Sequence, residues 1–116
     1  MTIDDKLVLG SVKLSVVRAL LGEITPAMRA VTVELNAELV TIRVYHDGVA
    51  SDELWADLDA ASTAVHADLP ERPDHPVSVQ LSLLRCDEPH PIPTLGEAVF
   101  SRKGVQHREW KPSDPF

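Results

Sequence analysis

Two stretches, MRAVTVEL (residues 28–35) and LVTIRVY (residues 39–45), constrain the fold more than anything else in the chain. In the first, Val31, Val33 and Leu35 alternate with Thr32 and Glu34; in the second, Val40, Ile42 and Val44 alternate with Thr41 and Arg43. A period of two places the apolar residues on one side of an extended chain and the polar residues on the other, so both stretches read as half-buried strands. Asn36-Ala37-Glu38 between them is short enough for a hairpin loop, and Asp47-Gly48 closes the second strand with a turn. A lone hairpin is marginal in water, so its apolar face requires further elements to cover it.

Helical spacing supplies them. SVKLSVVRALL (residues 11–21) sets Leu14, Val17 and Leu21 at steps of three and four, with Gly22 available as a left-handed cap and Pro26 shortly beyond. The same spacing runs backwards through Gly10, Leu7 and Ile3, and Thr2 with Asp5 matches a capping box, which extends the helix to near residue 3. Gly10 opposes that extension by about 1 kcal/mol relative to alanine. In SDELWADLDAASTAVHADL (residues 51–69), Ser51 reads as the N-cap, and the charges of Asp52 and Glu53 suit the positive end of the helix dipole. Leu54, Leu58, Ala61, Val65 and Leu69 share one face of this helix, and Asp59, Thr63 and His66 lie toward the other.

After the proline-rich loop PERPDHP, Val77, Val79, Leu81 and Leu83 alternate with Ser78, Gln80 and Ser82 in a third strand. EAVFSRK (residues 97–103) gives a fourth, its facing open between Ala98 with Phe100 and Val99. The order α-β-β-α-β-β implies an α+β fold: a single, mainly antiparallel four-stranded sheet with two helices on one face. The expected organisation is one domain over residues 1–103 and a flexible tail over 104–116, with Trp110 and Phe116 as docking points. The second sheet face is expected to be open, carrying Arg29, Arg43, Tyr45 and Gln80, and so able to support a homodimer.

The chain has 116 residues, 44% of them hydrophobic, enough for one domain that buries roughly 65% of its unfolded surface. It has no apolar run near the roughly 20 residues that span a bilayer, and MTIDDKLVLG lacks the basic flank of a signal peptide, so a cytoplasmic location is expected. The single Cys86 agrees with a reducing compartment. The charge is localised. Residues 47–74 hold eight acids against Arg72, a net −7 that equals the formal charge of the whole chain. Such a region disfavours nucleic acid and favours basic partners, although a solvated helix face has the same composition.

CDEPHPIP (residues 86–93) holds Cys86, Asp87, Glu88 and His90, all of types that ligate metals, between three prolines. A zinc site draws three or four ligands at spacings such as C-x2-C, which this segment lacks. A catalytic thiolate needs a base against it and a basic surround, and Asp87 and Glu88 oppose that. A metal or enzyme centre on Cys86, Glu88 and His90, with His46 recruited by folding, therefore stands as the alternative to a rigid strap whose polar side chains face water and whose Ile92 and Leu95 anchor it. No phosphate loop, GxSxG or HExxH pattern occurs. Five aromatic residues and a negative charge argue against RNA binding through the sheet. Trp55, beside Asp52, Glu53, Asp57 and Asp59, reads either as a residue at the rim of the core or as an aromatic anchor ringed by acids.

ALLGEITPAMRAVTVEL (residues 19–35), TIRVYHDG (41–48) and LLRCDEPHPIPTLGEAVFSRK (83–103) together resemble a group of small bacterial proteins that look like immunity proteins encoded beside secreted toxins. The resemblance covers roughly residues 12–103 in one order, and its most specific blocks are Gly-Glu-Ile-Thr-Pro and Pro-Ile-Pro-Thr-Leu-Gly. The chain departs from the pattern at Val44 and His46, where phenylalanines are usual, at Cys86, where an aliphatic residue is usual, and at Glu88, where a tyrosine is usual. The resemblance implies a non-catalytic protein, without cofactor or metal, that neutralises a toxin. With the charge pattern, the expected contact surface is Asp47, Asp52, Glu53, Trp55, Asp57 and Asp59, facing a basic protein partner. The third reading is a structural or dimerising module.

Overall fold

The first helix starts as early as its spacing allows: α1 spans Ile3–Ala19. It is followed by β1 (Met28–Asn36), β2 (Leu39–His46), α2 (Asp52–Asp68), β3 (Ser78–Arg85), β4 (Ile92–Thr94), β5 (Glu97–Ser101) and β6 (His107–Glu109). The structure is a computed structural model and describes residues 3–36, 39–69 and 78–114, with side chains from residue 9 onward. Thr2 of the expected capping box, Ala37 and Glu38 of the hairpin loop, residues 70–77 and Phe116 lie outside the described residues.

The main sheet has the order β3-β2-β1-β5. The hairpin pairs as expected, antiparallel from Val31↔Val44 to Asn36↔Leu39. The sheet is nevertheless mixed rather than mainly antiparallel, because β3 runs parallel to β2 in an unbroken register from Leu39↔Ser78 to His46↔Arg85. The cause is α2. It lies between these strands in sequence and carries the chain back along β2, so the next strand enters in the same direction. The fourth strand of the sheet is β5, antiparallel to β1. Its ambiguous facing has a physical origin in a bulge between Val31 and Thr32, which pair with Phe100 and Ala98 and leave Val99 as the extra residue. Both Val99 and Phe100 pack on the core.

The two helices do cover one sheet face. Val12, Val16 and Leu20 from the α1 side and Leu54, Leu58 and Val65 from α2 are buried against Val31, Val33, Val40, Ile42 and Val44. Each such side chain contributes about 1.5–3 kcal/mol when removed from water. Helix α2 begins as its sequence dictates, with Ser51 Oγ accepting the Leu54 N–H at 3.0 Å. Helix α1 is rotated from expectation. Leu9, Val12, Val16 and Leu20 face the core, whereas Leu14, Val17 and Leu21 are exposed. Apolar residues occupy both sides of this helix, so spacing alone does not choose between them; Ser15 is buried on the inner side.

The second sheet face is not open. Arg29, Arg43 and Tyr45 are all at most 2% exposed, and Ala30, Thr32 and Thr41 beside them are buried. Only Gln80, on β3, is exposed as expected. The cover comes from the segment after β3. Ile92 is buried against Ala30 and Tyr45, with Leu84, Cys86 and Val105 around it, and the Tyr45 hydroxyl donates to the Pro93 carbonyl at 2.8 Å. Residues 107–109, which the sequence places in a tail, form β6 and pair in parallel with β4 from Ile92↔His107 to Thr94↔Glu109. His107 bonds Thr94 Oγ1 through Nδ1 and Ser101 Oγ through Nε2, joining β4 to β5. A homodimer through this face would have to displace that cover at β1 and β2.

Candidate functional site

Two polar regions stand out, one internal and one external. The internal region begins with a bulge at Arg29, where the β1–β2 register shifts between Met28 and Ala30. The extra residue turns the Arg29 side chain toward the segment after β3. There its Nη1 donates to the carbonyls of Cys86 and His90, both at 2.8 Å. Asp47, the first residue after β2, lies between two arginines: its Oδ2 accepts from Arg102 at 2.8 Å, and its Oδ1 is 4.0 Å from Arg29 Nε. Asp47 Oδ1 also accepts the Glu88 N–H at 2.9 Å, while Asp87 Oδ1 accepts the Gly48 N–H at 2.7 Å. The turn after β2 and the strap after β3 are thus tied reciprocally, each acid holding a backbone N–H of the other segment.

These bonds set the charges. Partial burial by itself would push the Asp47 carboxyl up, but the hydrogen bonds from Arg102 and the Glu88 N–H, with the Arg102 and Arg29 charges, hold it below its ordinary value. Asp87 is lowered by Arg85, which donates to both its oxygens, and by the Gly48 N–H. The Arg102 guanidinium is raised chiefly by its bond to Asp47. Further along, Arg108 and the Lys111 N–H hold Asp114 down to about 2. Burial raises the Tyr45 phenol.

The same bonds decide what CDEPHPIP can do chemically. Glu88 is engaged by Arg102, His90 Nδ1 lies 3.1 Å from the Asp87 carbonyl, and the Cys86 thiol is half-buried beside Arg29 and the Pro91 carbonyl. The three residues are drawn to different partners, and among the described residues no group of three His, Cys, Asp or Glu side chains is placed to hold a metal ion. The segment is a strap, as its prolines suggest. It lies over the sheet face rather than across the sheet edge, with Ile92 fully buried and Leu95 half-buried. Beside it lies an open cavity of about 440 Å³, lined by Tyr45, Leu84, Cys86, Pro91 and two ion pairs, Arg85–Asp87 and Arg108–Asp114.

The external region is α2. Its outward residues divide between two flanks by helical spacing. Asp52, Trp55 and Asp59 fall on the same flank as Ser62, Thr63 and His66, and the last three line a cavity of about 350 Å³ with Asp59 and Val79 of β3. Glu53 and Asp57 fall on the opposite flank, with Asp68, which faces α1 through its ion pair with Arg18 at 3.7 Å. Trp55 is 46% exposed. Of the six residues expected at a contact surface, three therefore share the β3 side of α2, two share the α1 side, and Asp47 belongs to the internal network. Arg29 and Arg102, the two arginines that build that network, carried no signal in the sequence pattern; Arg29 only looked like an outward polar position.

The fold and the polar regions define a small α+β domain whose buried charges tie its own segments together and whose acidic helix is turned to solvent. A family model described as MafI2 immunity protein matches residues 10–104, and the chain belongs to that family. No curated protein matches the chain. No helix among the described residues is long and apolar enough to cross a membrane.

Proposed function

We propose that this chain is a non-catalytic immunity protein that binds a toxin domain and neutralises it through the acidic outer surface of α2. The family match over residues 10–104 carries this reading. The exposed acids Asp52, Glu53 and Asp59 and the half-exposed Trp55 give the surface its chemistry. Carboxylates paired with Lys or Arg of a basic partner speed association and fix register, and a partly desolvated tryptophan supplies apolar area. A basic nuclease blocked at its nucleic-acid surface is the partner that best fits this charge. Cytoplasmic action suits a chain with one unpaired thiol.

The test uses the toxin domain that this reading expects in a neighbouring reading frame. Replacing Asp57 and Asp59 together by Lys should lower the association rate on the order of tenfold at low salt, with the difference shrinking as salt screens the charges. An association rate unchanged at low salt overturns the acidic-surface reading. Both positions are beyond the first turn of α2, so the helix dipole contributes little to the result.

A further inference from the structure

We infer that the outer edge of β3 receives an extended, basic segment of the bound toxin, which extends the main sheet by one strand. This rests on the toxin-binding reading above and names where the partner's backbone goes. β3 is an end strand of the sheet order β3-β2-β1-β5, and among the described residues no strand pairs with its outer side. Eight residues long, in unbroken register with β2, it presents about 26 Å of straight edge.

Exposed edges are normally protected by bulges, prolines, inward charges or short length. β3 has none of these: SVQLSLLR contains no proline, and its one charge, Arg85, is its last residue. The opposite edge, β5, is five residues long, carries the bulge opposite Val31 and Thr32, and is tied to α1 by the Lys13–Glu97 ion pair. The two ends of one sheet are thus treated differently.

The surroundings of β3 say what would pair with it. Side chains of an added strand alternate between the two sheet faces, and each face offers a cavity beside β3. On the helix side is the 350 Å³ cavity bounded by Asp59, Ser62, Thr63, His66 and Val79. On the other side, five residues further along the strand, is the 440 Å³ cavity at Leu84, with Tyr45, Cys86 and Pro91. Backbone hydrogen bonds to the edge would supply affinity and the two cavities specificity, as in other strand-addition complexes. Asp59, with Asp52 on the same flank, sets the charge of the helix-side cavity, which suits a Lys or Arg of the incoming strand.

Residue-resolved amide exchange decides the matter, measured on the full chain alone and with the toxin domain that the proposed function expects in a neighbouring reading frame. The expected result is at least about tenfold slower exchange in the complex at alternating amides of residues 78–85. A complex that forms while these amides exchange as in the free chain overturns the edge proposal and leaves toxin binding intact. Failure to form a complex overturns both. Protection that rises with concentration of the chain alone assigns the edge to a second copy and also overturns the proposal.

Discussion

Arg29 is the residue on which the closure of the second sheet face most depends, and Arg29→Met tests that dependence. The side chain is 3% exposed, and its Nη1 supplies the hydrogen bonds it makes to the Cys86 and His90 carbonyls. Methionine keeps most of the aliphatic volume and removes both donors. Two carbonyls that lose a buried donor cost about 1–3 kcal/mol each, and a strap that shifts to meet water recovers part of this, so a loss of about 3 kcal/mol is expected. Asp47 adds little, because it keeps Arg102 and the Glu88 N–H. For 116 residues, an unfolding entropy of about 2.1 cal/mol/K per residue converts 3 kcal/mol into a fall in Tm of about 12 °C. Urea unfolding followed by circular dichroism measures the loss, and the rate at which Cys86 reacts with a thiol reagent reports whether the strap has lifted. Arg29→Lys, which can donate to one carbonyl but not span both, should recover about half. A loss below about 1 kcal/mol with unchanged thiol reactivity would refute the reasoning and leave the prolines as what holds the strap.

Gly96 has φ +84°, and a Cβ there would lie 2.4 Å from the Val33 carbonyl oxygen, so Gly96→Ala should cost about 1–3 kcal/mol or more in urea unfolding. Gly104, at φ +86° with nothing within 4 Å, is the control, and its alanine variant should lose clearly less. Ser51→Ala removes the cap on the Leu54 N–H and should lower stability by about 1 kcal/mol, or about 4 °C in Tm, with Ser51→Gly closer to the parent. Asp114 has its carboxyl lowered from 3.8 to about 2, so it stabilises the fold fully above about pH 4 and loses that contribution as the pH falls toward 2. Asp114→Asn should therefore flatten the pH dependence of the urea midpoint in that window, and an unchanged slope would show that the Arg108 pair does not persist in solution.

β1, β2 and α2 were legible because each had one dominant signal, period two in the strands and a Ser51 cap with a single apolar face in the helix, whereas the short β4 and β6 and the inward face of α1 had none. Two further features lay where local pattern is silent. The direction of β3 depends on what the intervening helix does, and alternation in VSVQLSLL is the same for either direction. The closure of the second face depends on polar residues, Arg29, Arg43 and Thr32, being buried, and their side chains read as solvent-facing by type. Only the bulge at Arg29 explains how an arginine in a hairpin reaches carbonyls 57 and 61 residues away, and bulges have no mark in a single sequence when the extra residue is not glycine. For the candidate surface, composition identified α2 and Trp55, but only the packing of α2 between α1 and β3 separates Asp52, Trp55 and Asp59 from Glu53 and Asp57.

That separation also bears on how a chain this small could hold a fixed fold and still carry the recognition surface proposed for α2. One sheet face is closed by α1 and α2, the other by the strap with β4 and β6, and the β5 edge is tied to α1. Among the described residues, the three acids with a lowered carboxyl, Asp47, Asp87 and Asp114, all serve those closures. Three acids on α2 do not: Asp52, Glu53 and Asp59 are exposed, and removing such side chains ordinarily changes stability by no more than about 0.5 kcal/mol. On the proposed reading, residues that hold the fold and residues that would face a partner are therefore nearly disjoint sets, and the outer flank of α2 could change its charges to follow a partner without loosening the scaffold beneath it.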